Sequence, residues 1–185
     1  MHNTILYGII ALAAMLLSGL LGSVESALTP VSRARVENMV KDEVAGAPVL
    51  LRVVNARANY VNMLVLLSTT LDITAAVFAA ITAMDLIDAE GWAITAAIVA
   101  VALLQFSIIG VFARTAGKRN PYTISLKAAQ WLVVFHTVLG PVSRFLIKLG
   151  NLFHPGADFR DGPYATEVEL REAVDIAQAV SYTHL

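Results

Sequence analysis

The sequence contains no cysteine, which excludes disulfide bonds, thiolate metal sites and cysteine nucleophiles. It is also poor in charge: 15% of its 185 residues are Asp, Glu, Lys or Arg, against about 25% in an ordinary soluble domain. Lysine and arginine are missing from long stretches. All 13 lie after Ser32, and none falls between Ala58 and Ala113, which is how a chain adapted to hydrocarbon reads. A net charge of -1 offers no basic surface to a polyanion, so no nucleic-acid partner is expected. The four histidines (His2, His136, His154, His184) are scattered. Neither a Ser-His-Asp set nor an HExxH helix is present, and no enzyme is expected. Residues 1–4 lack the basic start of a secretory signal, and the apolar run after them is too long for one. They are expected to open a retained first span.

What the chain has in abundance is apolar helix. Three segments, residues 4–28, 60–87 and 92–112, reach the roughly 20 residues needed to cross a hydrocarbon core of about 30 Å. The sequence therefore predicts an all-α integral membrane protein with membrane lipid as its surroundings. Between the first two spans, residues 32–57 are polar and carry Arg33, Arg35, Lys41, Arg52 and Arg57. Gly46-Ala47-Pro48 divides this stretch into a pair of short helices, with Pro48 suited to a first helical turn. The loop between the second and third spans holds Asp85, Asp88 and Glu90 and nothing basic. The positive-inside bias then places the amino terminus outside, and the arginine-rich segment and the carboxyl terminus in the cytoplasm. This is the topology of a multi-pass protein of the plasma (inner) membrane.

Residues 122–150 admit two readings. They are apolar enough for a fourth span, yet they contain Lys127, Gln130, His136, Arg144 and Lys148, with Gly140-Pro141 expected to break the helix. A juxtamembrane belt helix in the interface plane accommodates those charges by snorkelling, and a fourth crossing would send the charged tail outside. Residues 1–150 thus form the transmembrane domain. Residues 151–185 read as a cytoplasmic linker and the start of an acidic helix, opened by a Thr166/Glu169 capping box and striped by Leu170, Val174 and Ala177.

The residues most able to carry chemistry are acids within spans. Asp72 lies near the middle of the second, where a charge costs about 2.5–3.5 kcal/mol on insertion scales. Glu25 lies near the end of the first. Neither span carries a Lys or Arg of its own to neutralise them, so a proton or a small cation is expected to do so. Helical spacing groups Ser18, Gly22 and Glu25 on one face; Asn62, Thr69 and Asp72, continued by Ala76 and Ala79, on a second; and Ser107, Gly110 and Arg114 on a third. Carboxylate, hydroxyl and carbonyl oxygens are what hard cations take. The candidate metal ligands are therefore Ser18, Ser23, Glu25, Thr69, Thr70, Asp72 and the carbonyl near Gly110. The plainer reading is that such hydroxyls bond a backbone carbonyl or cross a helix interface, that Glu25 reaches interfacial water or Arg33, and that Asp72 is a protonated structural acid. Trp92 and Trp131 read as interface anchors.

Three motifs carry a resemblance. The segment Ser18-Gly19-Leu20-Leu21-Gly22-Ser23-Val24-Glu25-Ser26-Ala27-Leu28, followed by Ser32-Arg33-Ala34-Arg35, resembles the opening of the CorB/CorC/CNNM (cyclin M) magnesium transporter family. Gly110-Val111-Phe112-Ala113-Arg114, running on to Arg119-Asn120-Pro121, is similar to that family's third-span exit. The run from Thr166 to Asp175 looks like its linker helix. The resemblance departs at Val24, at Thr69 and Thr70 in place of an Asn pair, and at Ile109-Gly110 and Ala113 in place of Gly-Glu and Pro. It implies a homodimer of three-span subunits that exports magnesium (Mg2+), with sodium (Na+) as the coupling ion. It also implies ATP regulation through paired CBS domains that would follow the end of this chain. A non-transporting membrane scaffold or regulator of another ion transporter is the alternative.

Overall fold

The fold, given by a computed structural model, is all-helical across the described residues, 2–153. The capping box at Thr166 and Glu169 and the acidic helix after it lie outside them. In order come α1 (His2–Leu28), α2 (Arg33–Lys41), α3 (Ala47–Asn55), α4 (Arg57–Leu86), α5 (Glu90–Gln105), a π-helical segment (Phe106–Ala113), α6 (Arg114–Arg119) and α7 (Pro121–Phe153). Among the described residues three helices are long and apolar enough to cross a membrane: Asn3–Leu28, Arg57–Leu86 and Glu90–Arg119. The third runs on past residue 112 because no helix breaker intervenes before Asn120-Pro121. The described residues form two compact units, one up to Ala27 with Leu64–Pro121, and the other Leu28–Met63 with the described residues from Tyr122 onward.

The first unit is packed inside out relative to a soluble protein. On α1, Ala11, Ala14, Met15, Ser18, Gly19, Gly22, Ser26 and Ala27 are buried, while Ile5, Leu6, Ile9, Leu12, Leu16, Leu17 and Leu20 are exposed. The buried positions recur every three or four residues, so they form one helical face. Small residues inside and large apolar ones outside is the pattern of helices that meet closely in lipid. Phe112 and Trp92, each 74% exposed, would be a liability in water and are at home beside acyl chains or headgroups. The partners of α1 are antiparallel α4 and the third span. Thr4 Oγ1 donates to Asp85 Oδ2 at 2.9 Å, Tyr7 and Phe78 stack at 5.6 Å, and Ser18 Oγ donates to the Ser68 carbonyl at 3.4 Å. These contacts fix the register of the pair.

On the third span Ala93, Ala97, Val101, Ala113 and Gly117 are buried, and every interval among them is a multiple of four. Steps of four overshoot a 3.6-residue turn by about 40° each, so an unbroken α-helix would carry its face away from α1. The π-helical segment, with its i→i+5 bonds, takes more residues per turn and returns the face. Ala113 is accordingly buried beside the outward Phe112.

In the second unit α2 and α3 pack through Val36, Leu50, Val53 and Val54, all buried. Gly46 (φ 83°) turns the chain into α3 through the left-handed region, which glycine enters without a Cβ penalty, and Pro48 sits in the first helical turn. Tyr122 anchors the start of α7: its hydroxyl accepts from the Ser32 N–H at 3.3 Å, and the Arg35 guanidinium lies 4.4 Å from its ring centre. Arg57 donates to the Val31 carbonyl, and Tyr60 stacks on His136 at 4.6 Å. The break expected at Gly140-Pro141 does not occur. Helix α7 continues through Pro141, as apolar helices can where neighbours compensate the lost N–H. Gly140 leaves room for the His136 imidazole, whose atoms lie 3.2–3.3 Å from where a Cβ would stand.

Candidate functional site

The candidate ligands all lie in the first unit, but not as one cluster. Ser18 is fully buried with its hydroxyl on the Ser68 carbonyl, and the Ser68 hydroxyl donates to Val65 O at 3.1 Å. One turn along α4 from Ser68, Asp72 is half-buried. Its Oδ1 is sealed from solvent and has no hydrogen-bond partner. The face that α4 turns inward is thus Ser68, Asp72, Ala75 and Ala79, with Ala75 in the apolar cluster formed with Ala14, Met15 and Val101.

That face differs from the one helical spacing suggested. Thr69, Thr70 and Ala76 are exposed, and the Thr70 hydroxyl is already satisfied by Leu66 O at 2.8 Å. Positions three and four residues before Asp72 are about equally close to it around the helix. The packing of α1 selects the fourth, Ser68, and leaves Thr69 outside. The third-span grouping changes too. Ser107 is exposed and bonded to Leu103 O at 2.8 Å, Arg114 is exposed and Gly110 half-buried, because the π-helical segment breaks the 3.6-residue spacing between them.

The antiparallel register separates the two acids. Asp72 lies one turn, about 6 Å, to one side of the Ser18–Ser68 level, and Glu25 lies seven residues, about 10 Å, to the other. Ligand oxygens stand 2.0–2.6 Å from magnesium or calcium, so two carboxylates on one ion must approach far more closely than this. A single ion shared by Glu25 and Asp72 is therefore ruled out in this arrangement, and the two acids do not belong to one site. Among the described residues no three His, Asp or Glu side chains gather as a metal site. One turn from Asp72, Ser18 and Ser68 offer further oxygens, and these, like the carboxylate, are hard.

Glu25 is half-buried at the end of α1. Arg33, the partner considered for it, is instead paired with Glu37 at 2.9 Å. Arg114, from the start of α6, is near enough for its charge to be felt at Glu25. Ser23, also half-buried, is two residues away and so lies on a different side of α1, and Gly22 meets the π-helical segment, with Ile109 Cγ2 3.3 Å from where its Cβ would be. Gly110 follows at that level, on a π-helical turn of the kind often found at functional sites.

Comparison with known proteins bears on this arrangement. A family model described as the Cyclin M transmembrane N-terminal domain matches residues 9–181. UPF0053 proteins of Mycobacterium bovis and Mycobacterium tuberculosis are each 41% identical to the chain over 162 residues, covering 88% of it and 37% of the relative. The chain therefore spans little more than a third of the length of these relatives.

Proposed function

The chain belongs to the Cyclin M transmembrane-domain family, and on that premise we propose that it moves divalent cations, magnesium foremost, across a membrane. The observation that carries the reading is the Asp72 carboxylate: one oxygen buried at mid-span without a partner, on the helix face that also bears Ser68 and meets Ser18. A carboxylate oxygen sealed from water without a hydrogen bond is costly, and a passing hard cation relieves the cost by using that oxygen as a ligand. Water completes the shell, as magnesium ordinarily retains several waters. Glu25 with the Gly110 turn forms a second station toward the arginine-bearing end. The ion passes between the two as the spans shift around them, in the manner of midplane transporters.

The rest of the reading follows the family resemblance. Sodium is the coupling ion for export, the working unit is a homodimer in the plasma membrane, the arginine-bearing ends face the cytoplasm, and ATP acts through CBS domains beyond this chain. The test is magnesium flux into proteoliposomes. Wild-type protein is expected to carry flux above protein-free vesicles, and Thr70→Val to retain it within about twofold, because the Thr70 hydroxyl is already satisfied within its own helix. No flux from the wild type would overturn transport and favour a scaffold.

A further inference from the structure

Of the glycines in the first unit, Gly117 of α6 meets its neighbour, the end of α1, most closely. A Cβ on Gly117 would lie 2.3 Å from the Ser23 carbonyl oxygen, 2.9 Å from Ser26 Cβ and 3.0 Å from the Ala27 nitrogen. Two of those three atoms are backbone and cannot swing aside, so α6 can rest here only because residue 117 has no side chain. The atoms it touches bracket Glu25 in sequence. Arg114 precedes Gly117 by three residues, hence on the same face of α6, and its charge is felt at Glu25. Its side chain stays exposed, so it is held loosely enough to leave.

We propose that α6 is a latch on the first span, in which Gly117 brings the backbones together and Arg114 acts as a tethered cation at Glu25 that an arriving magnesium ion must displace. The inference rests on Glu25 being a station for the transported ion, as proposed above. Both cations seek the same carboxylate, and the arginine, being covalently tethered, is always present at high local concentration. Its occupancy sets how much free magnesium is needed at that end, and its return after the ion departs refills the station. Arg114 and Gly117 are positioning residues rather than ligands.

The latch is tested by binding, independently of flux. Purified protein in detergent is heated over a magnesium titration, and the half-saturating concentration is read from the rise in melting temperature. An exposed charge pair is worth about 0.2–1 kcal/mol, so Arg114→Gln is expected to lower half-saturation up to about fivefold. Arg114→Lys, which keeps the charge, should restore most of the wild-type value. In a Glu25→Gln background, Arg114→Gln should have no further effect, since the competition has lost its object. Gly117→Ala should act in the same direction as Arg114→Gln by prising the helices apart. If that variant fails to fold, the closeness of the contact is confirmed and Arg114→Gln carries the test.

Unchanged half-saturation in Arg114→Gln, an effect that persists undiminished without Glu25, or no magnesium-dependent stabilisation at all would overturn the latch. The latch and the transport reading fail differently. Flux indifferent to Asp72→Asn removes the transport route while leaving an Arg114 effect on binding intact. Flux abolished by Asp72→Asn, with binding indifferent to Arg114→Gln, removes the latch alone.

Discussion

Asp72→Asn is expected to reduce magnesium flux by at least about tenfold while leaving the protein folded. The substitution keeps the size and one carbonyl-type oxygen of the side chain but removes its charge. Interactions that involve a charged partner are worth about 1.5–3 kcal/mol, and 1.4 kcal/mol is a factor of ten. The loss falls on the one charged group proposed for that site, since Ser18 and Ser68 offer neutral oxygens and Thr69 and Thr70 face away. Stability in the absence of metal should hold or rise, because an amide is cheaper to bury at mid-span than an ionised carboxylate. Reduced flux together with an unchanged or raised melting temperature separates a ligand from a structural acid, which would show the reverse. Asp72→Ala should transport no better than Asp72→Asn, since neither offers charge.

The second large effect concerns stability in the other unit. Leu50 is fully buried between α2 and α3 beside Val36, Val53 and Val54. Leu50→Ala removes three heavy atoms from a site that short, tightly turned helices cannot close around, and buried Leu→Ala changes cost about 2–5 kcal/mol. For a chain of this length that corresponds to a drop in melting temperature on the order of 10 °C, measured in detergent without added magnesium. Because Leu50 belongs to the unit that holds neither acid, magnesium half-saturation of the surviving folded protein should match the wild type. A melting temperature within about 2 °C of wild type would show that the pair of short helices folds independently of the core assigned to it.

Much of this architecture is legible in the residues themselves. Apolar runs of sufficient length give the three spans, the absence of Lys and Arg between Ala58 and Ala113 marks two of them, and Gly46 and Pro48 divide the polar stretch into its two helices. Angular grouping on a helix is legible too, which is why Ser18 and Gly22 fall together. It gives only which residues are near one another around an axis, and the partner helix decides which of them points inward. Ser68 and Thr69 are each within a turn of Asp72, and only the antiparallel fit of α4 on α1 selects Ser68. The distance between Glu25 and Asp72 is likewise a property of that register, invisible within either span alone. The π-helical segment is a tertiary adjustment: Ala113 and Gly117 must meet α1, and the backbone widens to let them. Gly117 does carry a signal of its own, a glycine inside a helical run, where it costs about 1 kcal/mol relative to alanine and so asks for a packing reason. That reason is the backbone of Ser23 and Ala27. The resemblance to the cyclin M family, read from motifs around Glu25 and before Pro121, agrees with the family model's match across residues 9–181.

On the proposed reading, hydrocarbon tolerates Asp72 at the centre of this unit because its charge is shared with a travelling ion, and the position of that ion can be seen directly. Manganese, which takes the same oxygen ligands as magnesium, can be located in crystals of the chain by its anomalous scattering. A peak at coordination distance from Asp72 Oδ1, with the Ser18 and Ser68 oxygens around it, is the expected result. Manganese found only at exposed carboxylates, with nothing beside Asp72, would contradict it.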